Sequence, residues 1–253
     1  MRSGGWVLGL VLALTVGSAR ADELTVSAAA SLVDAFGEIA TAYQRAHPGT
    51  RVHLNTAASG VLLQQISHGA PVDVFASADA LSMEQAAQRG LIVPAQRFVF
   101  AGNTLVVVVP LRTAAATPRR LQDLAAPAIK RIAMGNPDTV PAGRYARSGL
   151  EAARLWQPLA DKRITAQNVR QALDYVARGE VDAGFVYGSD AQAVAHRVRT
   201  AFVVPLAQPI QYPIAQVARS ANAEQARRFI AYVRSPAGQA VLLRHGFAGV
   251  GTR

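Results

Sequence analysis

The sequence predicts an α/β protein made of two groups of largely parallel strands with flanking helices. Short β-rich runs alternate with stretches of helical periodicity along the chain. The same grammar starts afresh near Arg131, and a closing strand with two further helices follows the second group. One large domain or two lobes are both compatible with this length; the returning C-terminal segment suggests two lobes joined by more than one crossing, and a cleft between such lobes is where a ligand belongs. With 253 residues, 51% hydrophobic and only 17% charged, there is ample apolar material for a core.

Leu24 to Ala28 reads as the first strand. Leu32 to Arg45 is a helix with Leu32, Ala35, Phe36, Ile39, Ala40 and Tyr43 on one face, acids near its positive start, and His47-Pro48-Gly49 as its stop. Arg51 to Asn55 and Val72 to Ala76 are strands, followed by helices Val61 to Ser67 and Ala80 to Arg89 that stop at Gly69 and Gly90. Phe98 to Ala101 and Leu105 to Val109 flank Gly102-Asn103, and the second run is apolar and β-branched enough to be buried.

The second group runs through strand Arg131 to Met134, helices Ala142 to Leu155 and Val169 to Arg178, and strands Ala183 to Tyr187 and Ala201 to Pro205. Strand Tyr212 to Ala218 then leads into helices Ala223 to Val233 and Pro236 to Arg244, the latter with Ser235 as N-cap and proline at its first position. Leu105 to Val109 and Tyr212 to Ala218 are the expected crossings, which divides the chain into one lobe of residues 22–104 plus 212–253 and a second of 105–211.

Residues 1–21 read as a secretory signal: Arg2 in the n-region, an apolar stretch from Trp6 to Val16, and Ala19-Arg20-Ala21 as cleavage site. About eleven apolar residues fall well short of the roughly twenty that cross a bilayer. Export and a mature start at Asp22 are expected. The absence of cysteine removes disulfides, thiolate metal sites and a cysteine nucleophile together. The formal charge is +10, but the basic residues are scattered and none forms a run interleaved with aromatics, so nucleic acid is not an expected partner. The arginines read mainly as solvated helix faces that raise the local anion concentration.

Enzyme signatures fail one by one. There is no G-x-S-x-G elbow, no Gly-Lys pair for a phosphate loop and no H-E-x-x-H, and the five histidines lack ligand spacing. What recurs instead is a hydroxyl or small residue at strand-to-helix junctions: Ala28-Ala29-Ala30-Ser31, Ala57-Ala58-Ser59-Gly60, Val140-Pro141-Ala142-Gly143 and Gln167-Asn168-Val169. A helix start presents unpaired N–H groups and partial positive charge, and small side chains let backbone approach an anion closely. Ser31 and Ser59 can add hydroxyls, and Tyr187 a phenol from its strand end. Ordinary helix capping by either serine is the competing reading.

Four separated segments resemble the periplasmic molybdate-binding proteins of ABC importers. They are Thr25-Val26-Ser27-Ala28-Ala29-Ala30-Ser31-Leu32, Gly69-Ala70-Pro71-Val72-Asp73-Val74-Phe75-Ala76-Ser77-Ala78-Asp79, Asn136-Pro137-Asp138-Thr139-Val140-Pro141-Ala142-Gly143 and Val186-Tyr187-Gly188-Ser189-Asp190-Ala191. The resemblance runs from about residue 22 to 248 and implies a type II periplasmic-binding-protein fold whose two lobes close on one oxyanion. Carried over by motif, it implies that Ser31 and Ser59 donate from the first lobe, Ala142 and Val169 donate backbone N–H groups from the second, and Tyr187 donates its hydroxyl. Ser59 is assigned by its spacing from Leu62, and Asn168 stands where the family often has an acid.

The resemblance further implies a monomeric, non-enzymatic receptor with no cofactor, which takes molybdate or tungstate as cargo through their oxygens and passes it to a membrane permease. A dianion without protons needs donors only, whereas protonated phosphate needs an acceptor, and none of the five positions supplies a carboxylate. A receptor for sulfate or another small tetrahedral anion is the alternative. A hydrolase built on Ser31 or Ser59 would need a histidine base that no motif pairs with either serine.

Overall fold

The computed structural model describes residues 22–112 and 117–249; the expected signal segment, residues 1–21, lies outside them. Among the described residues no helix is long and apolar enough to cross a membrane. The described residues form ten strands in two five-stranded sheets, and both sheets are wired alike.

In the first sheet, β1 (Asp22–Ala29), β2 (Thr50–Ala57) and β3 (Val74–Ala76) run parallel in the order β2-β1-β3. The order continues with β10 (Ile210–Val217), antiparallel to both β3 and the edge strand β4 (Ile92–Asn103). In the second sheet, β6 (Ile132–Gly135), β7 (Arg163–Ala166) and β8 (Ala183–Tyr187) are parallel, β5 (Leu105–Pro110) pairs antiparallel with β8, and β9 (Val198–Val203) closes the edge. Each sheet is thus three parallel strands plus an antiparallel pair.

Helices α1 (Val33–Ala46), α2 (Ser59–Ser67), α3 (Ala80–Gln88), α7 (Ala223–Arg234) and α8 (Pro236–Arg244) accompany the first sheet. Helices α4 (Pro141–Ala152), α5 (Val169–Ala177) and the short α6 (Gly188–Ala193) accompany the second. The apolar face read for the first helix is the one buried in α1, where Phe36 and Tyr43 pack their rings on Phe229 of α7. Burying each such ring stabilises the fold by about 1.5–3 kcal/mol.

Several boundaries differ from the sequence reading for local reasons. β4 begins at Ile92 and runs through Pro94, a residue tolerated because the strand lies at a sheet edge. β7 had no counterpart in the sequence reading: it is also an edge strand, with Ile164 and Thr165 exposed, so it shows no alternating burial. α4 ends at Ala152 rather than Leu155 because Arg154 takes a left-handed φ of 58°. The ninth strand ends at Val203, not Pro205. The chain passes between sheets at Asn103–Leu105 and again over residues 204–209, just ahead of the two strands read as crossings.

Candidate anion site between the two sheets

The C-terminal ends of the parallel strands in both sheets converge on one small cavity, and Ser31, Ser59, Ala142, Val169 and Tyr187 all line it. All five are buried. Ligand crevices in open α/β sheets form outside these strand ends, because there the following helices present their N-termini.

Each position is produced by its local chain. After β1 a single 3-10 turn, Ala30–Leu32, carries Ser31 ahead of α1. Ser59 is the first residue of α2. Neither serine caps its helix; the hydroxyls go elsewhere. Ser31 Oγ lies 2.9 Å from the Tyr212 hydroxyl, and Ser59 Oγ accepts the backbone N–H of Ala78 at 3.0 Å. Among the described residues no histidine hydrogen-bonds either hydroxyl.

In the second sheet, Pro141 occupies the first position of α4, where no intrahelical N–H bond is lost, and leaves Ala142 as the first donor. Gly143 lets this first turn sit against the end of β6: a Cβ there would lie 2.1 Å from the Gly135 carbonyl oxygen. Asn168 caps α5 by accepting from Gln171 N at 3.0 Å, which leaves the N–H of Val169, in the first turn, without an intrahelical acceptor. Tyr187 closes the ring from the end of β8, its hydroxyl donating to the Ala78 carbonyl at 3.4 Å.

Among the described residues no charged side chain lines the cavity. Two arginines stand behind it and span the two halves, which departs from the reading of arginines as solvated faces. Arg144 donates to Asp79 Oδ2 from Nε at 2.9 Å and from Nη2 at 2.6 Å, and to Ser82 Oγ at 2.9 Å. Arg170 reaches Asp34 at 2.7 Å and the fully buried Asp190 at 2.6 Å. The Gly60 N–H donates across the gap to the Thr139 carbonyl at 3.0 Å, so the halves are in direct backbone contact. Burial pushes the Tyr187 and Tyr212 phenols far above their ordinary range, which keeps both protonated and able to donate.

The sequence reading had assigned no role to Ala78, Tyr212, Asp79, Arg144 or Arg170. Ala78 and Asp79 lie in a motif it quoted, but their partners are remote in sequence and leave no local signal. Asn168, where the family often has an acid, caps its helix. Among the described residues no group of three or more His, Cys, Asp or Glu side chains is arranged to hold a metal ion.

Residues 24–248 match the family described as bacterial extracellular solute-binding protein. The chain is 37% identical to the molybdate-binding protein ModA of Escherichia coli K12, over 94% of this chain and 95% of that one. It is 34% identical to the molybdate-binding protein ModA of Haemophilus influenzae, again over 94% of this chain and 95% of the relative. Among solved structures, the Azotobacter vinelandii periplasmic molybdate-binding protein superposes with a TM-score of 0.81 at 25% identity, covering 90% of this chain and 100% of that one. Two mixed sheets flanked by helices, with the cavity between them, make the two-lobed type II periplasmic-binding-protein fold. On the matched span and these relatives, the chain belongs to the bacterial extracellular solute-binding protein family.

Proposed function

We propose that this protein captures molybdate, and tungstate with it, and delivers the ion to the membrane permease of an ABC importer. The observation that carries the reading is a buried, uncharged cavity lined from both halves by Ser31, Ser59, Ala142, Val169 and Tyr187. In this reading the two hydroxyls, two helix-start N–H groups and one phenol all donate to the oxyanion, the Tyr187 proton turning to it from the Ala78 carbonyl, and each charge-assisted bond contributes about 1.5–3 kcal/mol. The ion is cargo and not a cofactor, and its metal is held through oxygen alone. The lobes are residues 22–104 with 212–253, and residues 105–211, and they close when the ligand bridges the two donor sets.

The family binds and releases solutes without transforming them, so the chain is not an enzyme. Export by residues 1–21, cleavage after Ala21 and action as a monomer in the periplasm complete the proposal. Molybdate and tungstate share charge and shape, so both bind. Sulfate satisfies the same donors but is smaller, and is rejected because the donors stand too far apart to reach it together.

Calorimetric titration of the mature chain with molybdate, tungstate, sulfate and phosphate tests this. Tight molybdate and tungstate binding with weak sulfate is expected. Sulfate binding without a molybdate response would overturn the ligand assignment, and silence with all four anions the oxyanion reading itself.

A further inference from the structure

A hydroxyl can donate or accept, so a serine serves a proton-free anion only if something makes its own proton point at the ligand. Ser31 sits at the end of a buried hydrogen-bond chain whose direction can be worked out atom by atom. It begins at Asn103, where β4 ends and the chain crosses to the second sheet. Asn103 Oδ1 accepts the backbone N–H of Thr104 at 2.9 Å and that of Ser189 at 3.5 Å. Two N–H groups aimed at one side-chain atom identify that atom as the oxygen, which leaves the amide nitrogen on the other side.

Asn103 Nδ2 has protons and no acceptor capacity. It lies 2.9 Å from Ser189 Oγ and 3.4 Å from the Tyr212 hydroxyl, so it donates to both. Tyr212 is fully buried and has one proton. With its oxygen already receiving from Asn103, that proton goes to its other neighbour, Ser31 Oγ, at 2.9 Å. Ser31 thereby accepts inside the fold, and its own proton is left for the cavity that it lines. Ser59 is set the same way by a simpler device, since its Oγ accepts from the Ala78 N–H at 3.0 Å.

We infer that Tyr212, oriented by Asn103, is a positioning residue that locks the Ser31 hydroxyl as a donor into the cavity and so selects fully deprotonated oxyanions over protonated ones. The inference rests on the oxyanion reading above and adds to it residues that touch no ligand. It also ties the site to the crossing point, because Asn103 bonds Ser189 of the second half and Tyr212 of the first.

The test is a double-substitution cycle of Tyr212→Phe with Ser31→Ala, read by calorimetry with molybdate and with phosphate at mildly acid pH, where phosphate keeps a proton. In the otherwise unsubstituted chain, Tyr212→Phe is expected to weaken molybdate by roughly tenfold, the scale of one hydrogen bond to a charged group, and to weaken phosphate less or not at all. In the Ser31→Ala background it should change molybdate binding little. A purely structural role for Tyr212 would weaken both anions alike and add fully to Ser31→Ala, and that result overturns the inference.

Should Tyr212→Phe fail to fold, Asn103→Asp carries the same test. A carboxylate only accepts, so Tyr212 would donate to it and Ser31 would turn its proton inward. Molybdate should then weaken more in the chain that keeps Ser31 than in one bearing Ser31→Ala, where only the added charge acts; equal losses overturn the inference. If the unsubstituted chain binds no oxyanion, the functional reading has failed and this inference falls with it. If it binds molybdate but the effects add, only the inference fails.

Discussion

Ser59 illustrates how one buried residue serves two purposes. Its hydroxyl oxygen satisfies the Ala78 N–H, and its proton remains for a ligand. Ser59→Ala should therefore weaken molybdate by about tenfold or more and also lower the melting temperature without ligand, because an unpaired buried N–H costs about 1–3 kcal/mol. Thermal unfolding of the ligand-free variant checks the second effect separately from titration. Asp190 has a different signature. Burial pushes its carboxyl up to about 6, against the pull of Arg170, while an ordinary aspartate titrates near 3.8. Between those values the folded protein holds a proton that the unfolded chain has released, so this group makes stability fall as pH rises through the window. Urea unfolding from about pH 4 to about pH 6.5 should show that slope in the native sequence and lose it in Asp190→Asn.

At the scale of elements, the site depends on where helices begin. Val169 is the first residue of α5, and Asn168 before it is extended at φ −156° and ψ 173°, a conformation that a following proline allows. Proline is well tolerated at this first position, so Val169→Pro removes one N–H and keeps the helix. Molybdate affinity is expected to fall by about ten- to hundredfold, the worth of one charge-assisted bond, with the circular dichroism of the helices unchanged. A variant with intact helices and unchanged affinity would remove Val169 from the donor set. Strand-to-helix junctions of this kind were legible in the sequence because capping and turn residues act over a few positions. The edge strand β7 was not, since it is defined by pairing with β6 and not by a buried face of its own.

On the scale of the whole molecule, the two halves meet through contacts that leave almost no space. A Cβ on Gly60 would stand 2.6 Å from the Thr139 carbonyl oxygen, a backbone atom of the other half. Gly60→Ala should therefore disfavour the closed arrangement while leaving each half intact. We expect weaker molybdate binding, an unchanged melting temperature without ligand, and a larger radius of gyration by small-angle scattering in the presence of molybdate. The same compaction as the native chain would sink this prediction. The Arg170–Asp34 pair bridges the halves as well and, being partly exposed, contributes modestly, on the scale of about 1 kcal/mol or less; the Arg144–Asp79 pair also bridges them, but Asp79 is buried, so removing either partner would leave an uncompensated charge.

The sequence by itself determined the alternation of strands and helices, the uncharged junctions carrying Ser31, Ser59, Ala142 and Val169, and the absence of the common enzyme motifs. These are local properties, governed by periodicity and by the few residues that start or stop a helix. Only the tertiary structure decided where the chain crosses between sheets, that the arginines behind the cavity are paired, and which way the serine hydroxyls point. Ser31 and Tyr212 are 181 residues apart and Arg144 and Asp79 are 65 apart. Such partners are chosen by how the two sheets pack, and no periodicity along the chain records that choice.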